Sequence, residues 1–222
     1  MKMRILTTVA ACVALASPMP AAAQLGMLRG AIPGANTSSA ASVDPDAFLA
    51  ETVETTRYMM VAAAVLAAAA KNSQDRAALG ARVNAIQSAQ DVKELGAFKV
   101  SLQEDLAAIS ANKESAAEFE ARYAKMTAEQ REQVAAAAFN FALGMYRNVR
   151  LSQQAPALLD SVKTNPRLLA KAGQLKTAAD LVVLQAKGTA SMAGSMRQIM
   201  GAAKVAAPAE AESTKPKAIQ FT

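Results

Sequence analysis

The chain has 222 residues, 55 of them alanine, with 4 % aromatics, no histidine, no tryptophan, one cysteine and a formal net charge of +6. With Cys12 as the sole thiol and no imidazole anywhere, an intramolecular disulfide, a Ser-His-Asp triad and a histidine site for zinc or haem are all excluded. Alanine forms helix best and loses no side-chain entropy on folding, so the composition predicts an all-α protein that is stabilised by packing alone.

The N-terminus carries Lys2 and Arg4, then an apolar run from Ile5 to Ala16, then Ser17, Pro18 and the small triplet Ala21, Ala22, Ala23. That order is the layout of a secretory signal peptide over residues 1–23, cut between Ala23 and Gln24. The run falls well short of the ~20 apolar residues that span a bilayer as a helix. Val9, Ala10, Ala11 and Cys12 loosely resemble a lipidation box. The apolar run continues past Cys12 through Val13 to Ala16, so the cysteine reads as part of the signal. The expected location is periplasmic or secreted, in a bacterial envelope. Residues 24–43 are rich in Gly, Ala, Ser and Asn and read as a flexible linker.

Asp44, Pro45 and Asp46 signal the start of a helix by capping, by the N1 proline and by charge at the dipole's positive end. This helix is expected to reach about Lys71, where Asn72 and Ser73 break it. A shorter one follows through Leu79, Val83 and Ile86. Asp91 caps a helix with Leu95, Phe98, Leu102, Leu106 and Ile109 on one face. Phe119 and Tyr123 stand one turn apart in an otherwise polar stretch. Thr127 and Gln130 have the spacing of a capping box, opening a helix to about Leu151 whose wide apolar face predicts a central element. Pro156 is expected to restart the chain, and Asn165 with Pro166 to cap a helix that Gly188 ends. A last helix carries Met192, Met196, Ile199 and Ala203.

The fold expected is a bundle of six or seven amphipathic helices over residues 44–204, followed by a disordered tail over 205–222, rich in Ala, Pro, Glu, Ser and Lys.

Charge is uneven along the chain. Residues 24–130 hold ten Lys and Arg against thirteen Asp and Glu, and residues 131–222 hold twelve against five. Arg147, Arg150, Lys163, Arg167, Lys171, Lys176 and Lys187 are therefore a candidate basic interaction surface, suited to an anionic membrane surface or an acidic protein. Without interleaved exposed aromatics it is not a nucleic-acid signature. Phe139, Phe141, Met145, Tyr146, Met192, Met196 and Met200 are the candidate apolar ligand or core face. Methionine thioethers here, with Met59 and Met60, read as adaptable core rather than a copper site. Ser110 and Lys113 have Ser-x-x-Lys spacing without the companion motifs that this chemistry requires. Glu104 with Asp105 and Glu118 with Glu120 read as solvated surface.

No cofactor, metal or catalytic group is expected. The leading functional reading is a non-catalytic scaffold or accessory module that binds an envelope protein or itself. The alternatives are a carrier of a lipid or other apolar ligand and a peripheral membrane binder.

Overall fold

The computed structural model describes residues 43–210 and 213–221. The expected signal peptide over residues 1–23, with Cys12, and the expected linker up to Ser42 lie outside the described residues.

The described residues hold seven α-helices and no strand. They are α1 (Pro45–Ala70), α2 (Arg76–Ser88), α3 (Val92–Gly96), α4 (Lys99–Ala111), α5 (Ala116–Lys125), α6 (Ala128–Thr164) and α7 (Ala172–Ala202), with a 3-10 turn (Pro166–Lys171) before α7. Most starts carry the chemistry the sequence announces. Asp44 accepts from the Asp46 amide at 2.9 Å and Asp91 from the Glu94 amide at 2.8 Å. Ser115 with Glu118, and Thr127 with Gln130, form reciprocal capping boxes. α1 stops at Asn72, whose left-handed φ of 49° lets the Ser73 amide reach the Ala68 carbonyl at 2.9 Å.

The axis of the bundle is α1, not the helix after Thr127 that its apolar width recommends. α1 packs against α2, α3, α4, α6 and α7, and every residue from Tyr58 to Ala67 is buried. Ala62 and Ala63 are fully buried, and small side chains there bring neighbouring helices close on every side. α1 is also the one described helix long and apolar enough to cross a membrane, yet 67 % of its most apolar window is buried inside the fold. α6 runs antiparallel to it, pairing residues 51, 54 and 59 of α1 with 150, 147 and 144 of α6.

Two breaks expected in the chain are absent. α6 continues through Pro156 to Thr164. Pro156 is exposed, and its missing amide leaves the Ser152 carbonyl without the usual helical hydrogen bond. α7 continues through Gly188, where a Cβ would stand 2.4 Å from Leu106 Cδ1, so this glycine serves close approach of α4 rather than termination. Conversely, the helix expected after Asp91 is split at Ala97 and Phe98 into α3 and α4. Gly96 lies against Thr177 there, with room for a Cβ only 3.2 Å from Thr177 Cγ2.

Two apolar clusters form the core. The larger one holds Met59, Met60, Leu66, Phe119, Phe141, Met192 and Met196, and the smaller gathers Phe48, Leu151, Leu158, Leu175 and Val182. In sequence, buried Thr52, Thr55, Thr56, Asn148 and Gln185 fall between them. Gln185 donates to Thr56 Oγ1 at 2.9 Å and Asn148 to the Val182 carbonyl at 3.0 Å, tying α7 to α1 and to α6.

Asp105 departs from the solvated surface expected of it. It is 4 % exposed and paired with Arg82, and burial pushes its carboxyl above the ordinary range despite that guanidinium. Glu104 beside it is exposed.

Within the segment expected to be a disordered tail, residues 214–221 are seated on the bundle. Ile219 is 3 % exposed and joins the larger core cluster, and Phe221 packs against that cluster. The tail's lack of periodicity reflects an extended chain held by side chains of other elements, not a lack of partners.

Two measurements check this packing. A Cβ at Gly144 would lie 2.0 Å from Met59 Cγ, whereas one at Gly194 meets nothing within 4 Å. Gly144→Ala is therefore expected to lose about 1–3 kcal/mol in urea unfolding, and Gly194→Ala to gain ~0.5–1 kcal/mol from helix propensity. The second concerns acid. Hydrogen bonds from Arg122, at 2.9 and 2.6 Å, hold the Glu114 carboxyl below its ordinary 4.5. Its stabilisation is complete above pH 4.5 and is lost as pH falls through the lower folded value. Glu114→Gln is expected to flatten that acid-side loss in pH-dependent urea midpoints.

Candidate functional site

Apart from Tyr146, the apolar set lies in or against the packed core. Phe141 and Met192 are fully buried, Met196 is 4 % exposed, and Phe139, Met145 and Met200 pack against the same cluster. Tyr146 is half-buried on α6. These side chains hold helices together. A cleft of about 590 Å³, open at the surface, lies beside Lys71, Lys113 and Glu114. Lys113 lines it, and Ser110 points elsewhere, donating to the Ser191 carbonyl at 3.3 Å.

The basic set is divided by function. Arg147 pairs with Glu54 at 2.9 Å, Arg150 with Glu51, and Lys171 with Asp46 at 2.5 Å. These three cations meet an acidic row on α1 and close the seam between α1 and the chain from α6 to the 3-10 turn. Lys163 pairs within its own helix with Asp160 at 2.8 Å. Arg167, Lys176 and Lys187 are exposed.

A different arrangement emerges on the face shared by α1, α2 and α6, where residues 214–221 lie as an extended strap. Four side chains of the bundle bind its main chain. Asn140 does so twice, donating from Nδ2 to the Lys217 carbonyl at 2.8 Å and accepting from the Lys217 amide at 2.7 Å. Gln133 donates to the Gln220 carbonyl at 2.6 Å and Arg147 to the Thr214 carbonyl at 2.9 Å. From α2, Gln87 donates to the Ile219 carbonyl at 3.0 Å.

The spacing of these contacts is regular. Gln133, Asn140 and Arg147 are seven residues apart on α6 and engage strap residues 220, 217 and 214, three residues apart and running antiparallel. Seven helical residues rise ~10.5 Å, and three extended residues span ~10 Å. One side of a helix thus presents a polar rung at the pitch of every third peptide group of an extended chain.

Side chains of the strap meet the groove more selectively. Ile219 and Phe221, two apart, lie on one side of the extended chain. Phe221 rests over Gly80, where a Cβ would sit 3.1 Å from its own Cβ, and under the Arg76 guanidinium, 5.5 Å from the ring centre. The Lys217 ammonium stands 4.5 Å over the Phe139 ring. A cleft of about 260 Å³ remains beneath Lys217 and Ile219, lined by Glu54, Arg57, Tyr58 and Val61. Burial raises the Tyr58 hydroxyl's pKa above its ordinary 10.0, so it stays protonated at neutral pH.

Of these groups, sequence reading singled out only Arg147 and Phe139, and for other reasons. Gln87, Gln133 and Asn140 were missed. The signal that finds two of them is the heptad recurrence of Gln133, Asn140 and Arg147 inside an apolar stripe, where polar residues need partners.

No protein-family model, no curated protein and no solved structure matches this chain.

Asn140 makes two of the strap's main-chain hydrogen bonds, so Asn140→Ala is expected to loosen residues 214–221 without melting the helices. In limited trypsin digestion, cleavage after Lys217 should accelerate at least five-fold, with the circular dichroism of the helices unchanged. Equal cleavage rates in the two proteins would show that the rung does not hold the strap.

Proposed function

We propose that this chain is an exported, non-catalytic helical module of a bacterial envelope that binds another protein through the groove on α1, α2 and α6. The observation that carries the binding reading is the heptad ladder of Gln133, Asn140 and Arg147, which holds peptide groups rather than side chains. Hydrogen bonds to main chain supply affinity with little dependence on sequence, and pockets between them supply selectivity. For location, the support is the order of charge, apolar run and small residues before Gln24. The carrier alternative loses its support once Phe141, Met192 and Met196 are core. The membrane alternative is left with Arg167, Lys176 and Lys187, because Arg150 and Lys171 are paired with acids of α1.

A photo-reactive residue introduced in living cells tests this reading. Asn84 is exposed on α2 between groove residues Gly80 and Gln87, and Lys176 is exposed on α7. Cross-linking from position 84 is expected to give an adduct with a second polypeptide, and position 176 to give none. Monomer alone from position 84, or the same adducts from both positions, would overturn the proposal.

A further inference from the structure

We infer that residues 214–221 are a tethered competitor in the groove, and that the partner is a different protein offering an extended segment with a basic residue, an aliphatic residue two positions on, and an aromatic two further. This rests on the interaction reading above and gives it a partner chemistry. The strap itself supplies the pattern, with Lys217 over the Phe139 ring, Ile219 buried, and Phe221 seated on Gly80. The residues between them, Ala218 and Gln220, are exposed and carry no requirement of their own. Main-chain recognition by Gln133, Asn140, Arg147 and Gln87 is indifferent to which protein provides the peptide groups.

Of the strap's residues only Ile219 enters a core cluster, with Phe221 packed against it, and the rest is held by hydrogen bonds and surface contacts that a competing segment can replace. The strap hangs from the end of α7, where Lys204 takes a left-handed φ of 52° and the Val205 amide closes on the Met200 carbonyl at 2.9 Å. Ala206 and Ala207 after it are exposed. A covalent tether of this length holds its segment at an effective concentration on the order of millimolar, which a partner must outcompete. The occupant is a different protein rather than a second copy because exchange between copies is favoured by short, strained hinges. Here ten residues separate the cap of α7 at Ala203 from Thr214, enough for the strap to return to its own bundle.

The probe is a fluorescein-labelled octapeptide, TKPKAIQF, titrated by anisotropy against the full chain and a variant carrying Ile219→Ser with Phe221→Ala. The variant is expected to bind at least ten-fold more tightly than the unaltered chain, because its own strap no longer competes. Adding Asn140→Ala to it should weaken binding at least ten-fold, and TKPKASQA should not bind. A variant with native circular dichroism that ignores TKPKAIQF, or that binds both peptides equally, would overturn the inference. So would strap-exchanged dimers of the unaltered chain in native mass spectrometry, which would make a second copy the occupant. Should the double variant fail to fold, a protease site inserted between Ala206 and Ala207 frees the strap without altering the groove. After cleavage the labelled peptide should replace the strap, and retention of the strap against excess peptide would count against the inference. Peptide binding without cellular cross-links from position 84 would sink the functional reading alone, whereas cross-links without peptide binding would sink only the motif.

Discussion

Everything else in this fold depends on burying α1 on all sides. Where Ala62, Ala63 and Ala64 follow one another, α1 has no bulky side chains to hold its neighbours apart, so that turn is stable only where other backbones come close. At the bulkier Tyr58 and Met59 of α1, its neighbour α6 makes room with Gly144, and α7 makes room in the same way for Leu106 of α4 with Gly188. Methionines fill the irregular remainder, as flexible thioethers do. Close apolar contact alone leaves a helix free to slide. The buried tie from Gln185 to Thr56 and that from Asn148 to the Val182 carbonyl suit a role in fixing the register of α1, α6 and α7.

Once α1 is enclosed, the charge asymmetry of the sequence finds a use. The acidic residues Asp46, Glu51 and Glu54 on α1 meet Lys171, Arg150 and Arg147 from the C-terminal half, so the two halves attract one another across the seam. Arg147 then works in three directions, reaching Glu54, the strap at Thr214 and the face of the Tyr58 ring 5.8 Å away. It links the seam to the groove. α6, at 37 residues, is long enough to serve α1 along one face and the strap along another.

Helix content, the caps at Asp44, Asp91 and Thr127, and most apolar stripes were legible because they are local: each rests on residues within a turn or two. What escaped is what depends on distant partners. Pro156 and Gly188 read as stops because, in an isolated helix, they are costly. In the fold Pro156 faces solvent, and Gly188 makes room for Leu106. α6 looked central because its stripe is wide, but part of that width serves the strap, and Val149 on it is 45 % exposed. The groove was least legible of all. Its recognition groups are amides, which carry no chemical signature until an extended chain lies against them, and the chain that does so has neither helical nor strand period. Only the spacing of Gln133, Asn140 and Arg147 hinted at it.

The central claim is that a helical ladder holds an extended segment in place on a bundle whose axis is α1, and native-state hydrogen exchange resolved to single amides tests it directly. The account predicts slowest exchange from Met59 to Leu66, through global unfolding only. The Lys217 amide, bonded to Asn140 Oδ1 at 2.7 Å, should show clear protection at a lower level, reporting release of the strap alone. A Lys217 amide that exchanges at the rate of an unstructured chain, while α1 stays protected, would contradict it.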